Sequence, residues 1–254
     1  YLARLQVRAS VWGSSARLRR LLNTRVLLDN SILRLGVLHR TVAVSLGEFQ
    51  FGNSRHEVTI PHLTHDNFRA HERWLSEQQK FLPSIAHLGE AGLLDLFTSA
   101  ELQRETWQHK PSKYTGDPYG SSLFASNWVG VLPSPVRRSV SRIMSDYDWT
   151  TEEQRDFFRT IRDAEFIELS RYIGEKHISD AFHIWSAHKI DCHTFLTVDK
   201  KLINVVQTLK GQGKINWLRT QVQCPKEFAG LIGSRPVNID HLLFSDPLLP
   251  ILRK

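Results

Sequence analysis

The chain has 254 residues, 41% of them hydrophobic and 23% charged, with a formal charge of +7 and a pI near 9.6. That length can bury a substantial core as one large or two small domains, and the charge admits an anionic partner, nucleic acid first, without establishing one. Two cysteines, Cys192 and Cys224, without metal-type spacing exclude a disulfide framework and point to a reducing, intracellular and by default cytoplasmic setting. No apolar run approaches the roughly 20 residues that cross a bilayer, so no membrane partner is expected.

In chain order, the opening stretch "YLARLQVRASVWGSSARLRR" is arginine-rich and free of acids. It reads as a transit-type peptide for an organelle, an upstream flank, or a basic arm touching nucleic acid, so residues 1–23 are set apart from a single domain at 24–254. "TRVLLDNSIL" then reads as a short strand ending on Asp29 and turning at Asn30 and Ser31. "TVAVSL" and "HEVTI", separated by "GNSR", suggest a hairpin or an inserted edge. "THDNFRAHERWLSEQQKFL" turns helical with Thr64 or Asp66 as cap. "AGLLDLFTS" is a second apolar strand feeding the helix "SAELQRETWQ".

Residues 110–149, rich in Pro, Gly and Ser, read as a long loop or insertion in which Trp128, Val129 and Val131 mark a part that packs down. Residues 150–177 open with a capping Thr and an acidic first turn and are helical, with a break near Asp163. The helix "SDAFHIWSAHKI", the strand "TFLTV", the helix "KKLINVVQTLKG", a last strand and a Pro-initiated helix follow. Alternating strands and helices indicate an α/β fold with a parallel sheet covered on both faces.

Acids recur at one kind of place in this pattern. Asp29 and Asp199 each end an apolar strand, where a turn residue is the ordinary reading and where ligands of parallel sheets also gather. Asp180 opens a helix and shares a stripe with Ile184 and Ala187, as a helix-end charge or as a site residue. Glu101 and Glu105 lie one turn apart on a third helix. Two carboxylates about 4 Å apart repel by roughly 4 kcal/mol at an effective dielectric near 20. A cluster of them persists around a hard cation, Mg²⁺ or Mn²⁺ being the usual occupant of an all-oxygen site.

The pieces "VLLDNSIL", "LDLFTSAELQRE", "SDAFHIWSAHKIDCHTFLTVDKKL" and "VQCPKEFAGLIG" together resemble a PIN-domain nuclease. The resemblance covers roughly 24–35 and 92–230, with gaps. It implies a PIN-like parallel sheet flanked by helices, here with a long insertion at about 36–90 after the first strand and another at about 110–149. It implies metal-dependent hydrolysis of phosphodiesters, with Asp29, Glu105, Asp180 and Asp199 as catalytic metal ligands for Mg²⁺ or Mn²⁺. Asn30, Ser31 and Thr197 are auxiliary, and Glu101 is the rival to Glu105 for the second acid. The insertions depart from the compact toxin-type members and leave that second acid the least fixed position.

Other signals are weaker. Twelve histidines invite zinc, but His183 and His188 diverge by about 140° on their helix and no metal-type pair occurs. Lys200 and Lys201 beside Asp199, with Arg137 and Arg138 in the insertion, are the basic groups expected to meet nucleic-acid phosphates; the cluster Arg17, Arg19 and Arg20 reads as solvated surface or as part of the arm. Trp128 is a candidate stacking platform, whereas Trp107 and Trp185 read as core. The expected function is therefore an endoribonuclease, a toxin or defence effector, with RNA as partner and a protein inhibitor, a larger complex or a second copy as further partners. The competing readings are a catalytically silent RNA-binding or assembly module and a DNA-directed structure-specific nuclease.

Overall fold

A computed structural model describes residues 2–18, 24–38, 40–52, 54–64, 72–107, 122–124, 128–136 and 150–243. The chain opens with helices α1 (Leu2–Ser10) and α2 (Ser14–Leu18) and enters strand β1 (Arg25–Leu28), which feeds α3 (Asn30–Leu35). A hairpin, β2 (Arg40–Phe51) and β3 (Ser54–Thr64), precedes α4 (Arg73–Gln79) and α5 (Leu82–Glu90). Then come β4 (Asp95–Ser99), α6 (Ala100–Trp107) and β5 (Gly130–Leu132). The last part holds α7 (Thr151–Arg159), α8 (Ala164–Ile173), a 3-10 turn at Glu175–His177, α9 (Ile178–Lys189), β6 (Thr194–Leu196), α10 (Lys200–Gly211), β7 (Gln221–Gln223), α11 (Pro225–Ile232) and α12 (Ile239–Leu243).

Five strands form one sheet in the order β5-β4-β1-β6-β7, and every pairing is parallel. Such short apolar strands are stable only when both faces are covered. Alternation along each strand builds two cores. Val26, Leu28, Leu96 and Leu196 point to a layer containing Ile32, Ile85, Phe228 and Ile232. Leu27, Phe97, Phe195 and Val222 point to the other, with Phe158, Phe182, Ile203 and Val206. The chain runs outward from β1 through β4 to β5, then crosses back to β6 and β7. The reversal of strand order falls beside β1, and the crevice it opens lies at the carboxyl ends of the strands.

Four expectations change. The basic N-terminal stretch is not a free arm in residues 2–18. Val7 and Leu18 are buried in the first core layer, Ser10 bonds Ser84 at 2.6 Å, and Arg17 donates to the Gly230 carbonyl at 3.2 Å. Arg8 and Arg17 are exposed on helices whose apolar side packs on the sheet layer. The helix after the hairpin begins at Arg73 and not near Thr64, because Thr64 still pairs with Arg40 in the hairpin; Asp66 lies outside the described residues. That hairpin is a separate two-stranded sheet and not an edge of the main one.

The stretch 110–149, expected as loop or insertion, supplies edge strand β5. A glycine in a strand reads as a breaker, yet here a Cβ at Gly130 would meet the Phe97 ring at 2.8 Å, so only glycine fits. Trp128 is partly buried against the core, tilted against Phe124 at 6.0 Å. Trp185 is core as expected, while the side chain of Trp107 and all of Arg19, Arg20, Arg137 and Arg138 lie outside the described residues.

Candidate active site at the carboxyl ends of the strands

Asp29 occupies the N-cap position of α3, yet its carboxylate caps nothing. Its Oδ2 instead accepts from Ser31 Oγ at 2.5 Å and from Thr197 Oγ1 at 2.6 Å. Thr197 is fully buried just past β6, so its hydroxyl ties the end of β6 to the end of β1. The same oxygen receives the Asp199 amide at 3.1 Å, and the Val198 amide donates to Ser31 Oγ at 3.3 Å. Ser31 and Thr197 thus hold one aspartate with two short hydroxyl bonds, the stronger kind that an ionised acceptor makes.

Glu105, on α6, is tied to the residue that follows Asp29. Asn30, buried at the start of α3, donates to Glu105 Oε2 at 3.1 Å and to the Leu102 carbonyl at 2.9 Å. His183 Nε2 lies 2.8 Å from Glu105 Oε1. Glu101 points elsewhere. It is fully buried, bonded to Arg104 at 2.9 Å and to Gln154 of α7 at 3.2 Å. Of the two rivals on α6, Glu105 is held by Asn30 and His183 and Glu101 is a tether to α7. One helical turn separates them, yet the sheet-facing residue Leu102 and the partners on α7 pull them to different neighbours.

Asp180, in the first turn of α9, accepts from His177 Nδ1 at 3.2 Å. Burial holds its carboxyl above the usual carboxylate range; the charge of Asp29 adds to that rise, while His183 and His177 oppose it. Burial, the largest influence on His183, favours its neutral form, but the charge and hydrogen bond of Glu105, with Asp29 and Asp180, outweigh it and move the pKa up. His183 bonds Glu105 and feels the charge of both aspartates. Sequence reasoning passed over it by testing it only against His188. The usable signal was its place three residues after Asp180, on the same helix face.

Asp199 takes the ordinary role that Asp29 avoids. Its Oδ1 caps α10 through the amides of Lys201 at 2.9 Å and Leu202 at 3.0 Å, and its residue is exposed. Lys200 and Lys201 are exposed beside it. The Lys200 ammonium sits 5.3 Å from the centre of the Trp74 ring, whose indole N–H donates to the Val198 carbonyl at 3.2 Å. Trp74, not singled out from sequence, forms a wall of the same crevice.

Oxygen donors dominate this set, which suits a hard dication. One oxygen each of Asp29, Asp180 and Asp199 accepts no hydrogen bond among the described residues, and Asn30 Oδ1 is buried there without a partner. The donors are of the right kind, but no three His, Cys, Asp or Glu side chains among the described residues already form a metal cage. Cys192 and Cys224 are free and buried, their thiols pushed up to about 11 mainly by burial. Among the described residues no helix is long and apolar enough to cross a membrane. Compared with protein-family models, curated proteins and solved structures, the chain has no match.

Proposed function

We propose that this protein is a metal-dependent nuclease of PIN-like type, acting on RNA, with its site at the ends of β1 and β6. The observation that carries this reading is the conduct of Asp29. An N-cap aspartate gains about 1 kcal/mol by capping, and this one forgoes that bond to be clamped by two hydroxyls, while the adjacent Asn30 holds Glu105. A scaffold gains nothing by gathering acids at a topological switch point, where ligands of α/β sheets bind.

Asp29, Glu105, Asp180 and Asp199 are the residues that would hold Mg²⁺ or Mn²⁺. When bound, such an ion supplies a water of lowered pKa and positive charge for the phosphate and the leaving oxygen. The chain's own residues do the positioning. Ser31 and Thr197 fix the Asp29 carboxylate, Asn30 and His183 fix Glu105, and the Asp199 cap fixes the start of α10. Lys200 and Lys201, exposed at that helix start, would meet substrate phosphates as point charges.

The test is incubation of pure protein with labelled RNA and labelled DNA, each with Mn²⁺, Mg²⁺ or EDTA, beside Asp29→Asn. Cleavage of RNA that needs the metal and falls at least 100-fold in Asp29→Asn, with unchanged circular dichroism, is the expected result. Cleavage confined to DNA moves the assignment to a structure-specific DNA nuclease. The lack of a ready-made cage favours a second reading, a silent RNA-binding or assembly module; RNA binding with no cleavage under any metal condition would establish that one.

A further inference from the structure

Glu105 is half-buried on α6, a helix whose other bonds reach away from the aspartates, and a free glutamate side chain samples many rotamers. Two residues from two other elements each grip one of its oxygens: Asn30 of α3 takes Oε2 and His183 of α9 takes Oε1. His183 is only 3% exposed, walled edge-on by the rings of Phe158 at 6.4 Å and Phe182 at 5.8 Å. Its ring cannot swing without displacing the second core. Since a carboxylate only accepts, the bond fixes the tautomer with hydrogen on Nε2. Nδ1, buried and without a partner among the described residues, has no other group to serve.

We propose that His183 is a positioning residue for Glu105, locking its carboxylate from the core side so that the acid is presented, already ordered, to a divalent cation at the strand ends. This inference rests on the metal-site reading above. Asn30 directly follows Asp29, and His183 lies one turn after Asp180, so the two residues that grip Glu105 are each built onto an element carrying another acid of the site. The Glu105 clamp and the site are therefore set in register by α3 and α9 together. His183 is no ligand itself, because its Nε2 is spent on Glu105. Partners behind metal-binding side chains are typically worth about 10-fold or more in metal affinity.

The test compares wild type with His183→Gln, whose amide nitrogen reaches close to the place of Nε2, and with His183→Leu, which fills the space and cannot donate. Mn²⁺ affinity is read by calorimetry and by the electron-spin signal of free Mn²⁺, with melting in EDTA as control. Expected is affinity within about threefold of wild type for Gln and at least about 10-fold weaker for Leu. A merely structural histidine would lower the melting temperature of both variants and leave Mn²⁺ affinity untouched, and that outcome overturns the inference. Gln and Leu weakened alike overturns it too. Should Leu not fold, His183→Asn, too short to reach Glu105, replaces it with the same expectation. Wild type that binds no Mn²⁺ strikes down the metal reading and this inference with it, whereas a Leu variant binding as wild type strikes down only the inference.

Discussion

Two aspartates at strand ends use their carboxylates in opposite ways. Asp199 accepts the amides at the start of its own helix, whereas Asp29 turns from its helix to the hydroxyls of Ser31 and Thr197. Asp180 is the third case, an acid whose ionised form is held at a disadvantage by burial and by Asp29. Its folded pKa lies above the unfolded value near 3.9, so the native state holds the proton more tightly. Stability is then lost as pH rises from the unfolded pKa through the folded one, and the full cost is present above both. Asp180→Asn should therefore raise the melting temperature in EDTA at pH 8, and the gain should shrink towards nothing at pH 4. It should also reduce the shift on adding Mn²⁺, since a ligand of the native state stabilises by mass action. A variant that melts lower than wild type in EDTA while keeping the full Mn²⁺ shift would return Asp180 to a helix-end role.

Among the elements, Asp163 ties α8 to α9. Asp163 Oδ1 caps α8 at the amides of Glu165 and Phe166 and accepts from the buried Trp185 indole at 3.0 Å. Its Oδ2 pairs with Lys189 at 2.9 Å. Burial pushes its carboxyl up, but Lys189 and the Phe166 and Trp185 N–H groups together hold it below the usual range. Asp163→Ala removes a cap worth about 1 kcal/mol and strands an indole N–H at about 1–3 kcal/mol. A loss of roughly 2 kcal/mol or more by urea unfolding is expected, with Asp163→Asn milder. Because the folded pKa is depressed, the wild-type advantage is present above the unfolded pKa and narrows as pH falls through the folded one. The break at Asp163 was legible in the sequence, because an Asp before an amphipathic run is a start signal. The β2–β3 hairpin was legible by alternation too, but its apolar tip was not foreseeable as open surface: Leu46, Phe49 and Phe51 stay exposed, Phe51 at 75%. Alternation says that a face exists and leaves unsaid what covers it.

For the molecule as a whole, the N-terminal helices decide whether residues 2–18 are appendage or fold. Burial of an aliphatic side chain such as Val7 or Leu18 is worth about 1.5–3 kcal/mol each, and both lie in the layer under α5 and α11. Removing residues 1–18 should therefore cost about 3 kcal/mol or more in urea unfolding, or abolish folding. A truncated protein as stable as the full chain would restore the free-arm reading. The same scale explains the placement of the site. Placing β1 between β4 and β6 puts Asp29 beside Thr197, although 168 positions separate the two in the chain.

Periodicity and local chemistry, which act over a few residues, fixed much in advance: the α/β class, the apolar strands, the cap at Thr150, the break at Asp163, the Pro-led α11, and acids at strand ends. Those are consequences of side-chain period and backbone hydrogen bonding, and any fold containing these segments must respect them. Tertiary structure alone decided the rest. It gave Glu105 and Glu101 different partners, because Asn30 and His183 sit on one side of α6 and Gln154 on the other. It recruited Gly130 into a strand, because only the packed Phe97 ring makes glycine necessary there. It made His183 a partner of carboxylates, since that bond crosses between helices far apart in sequence. Each of these depends on which elements become neighbours, and nothing in the local spacing of residues specifies that.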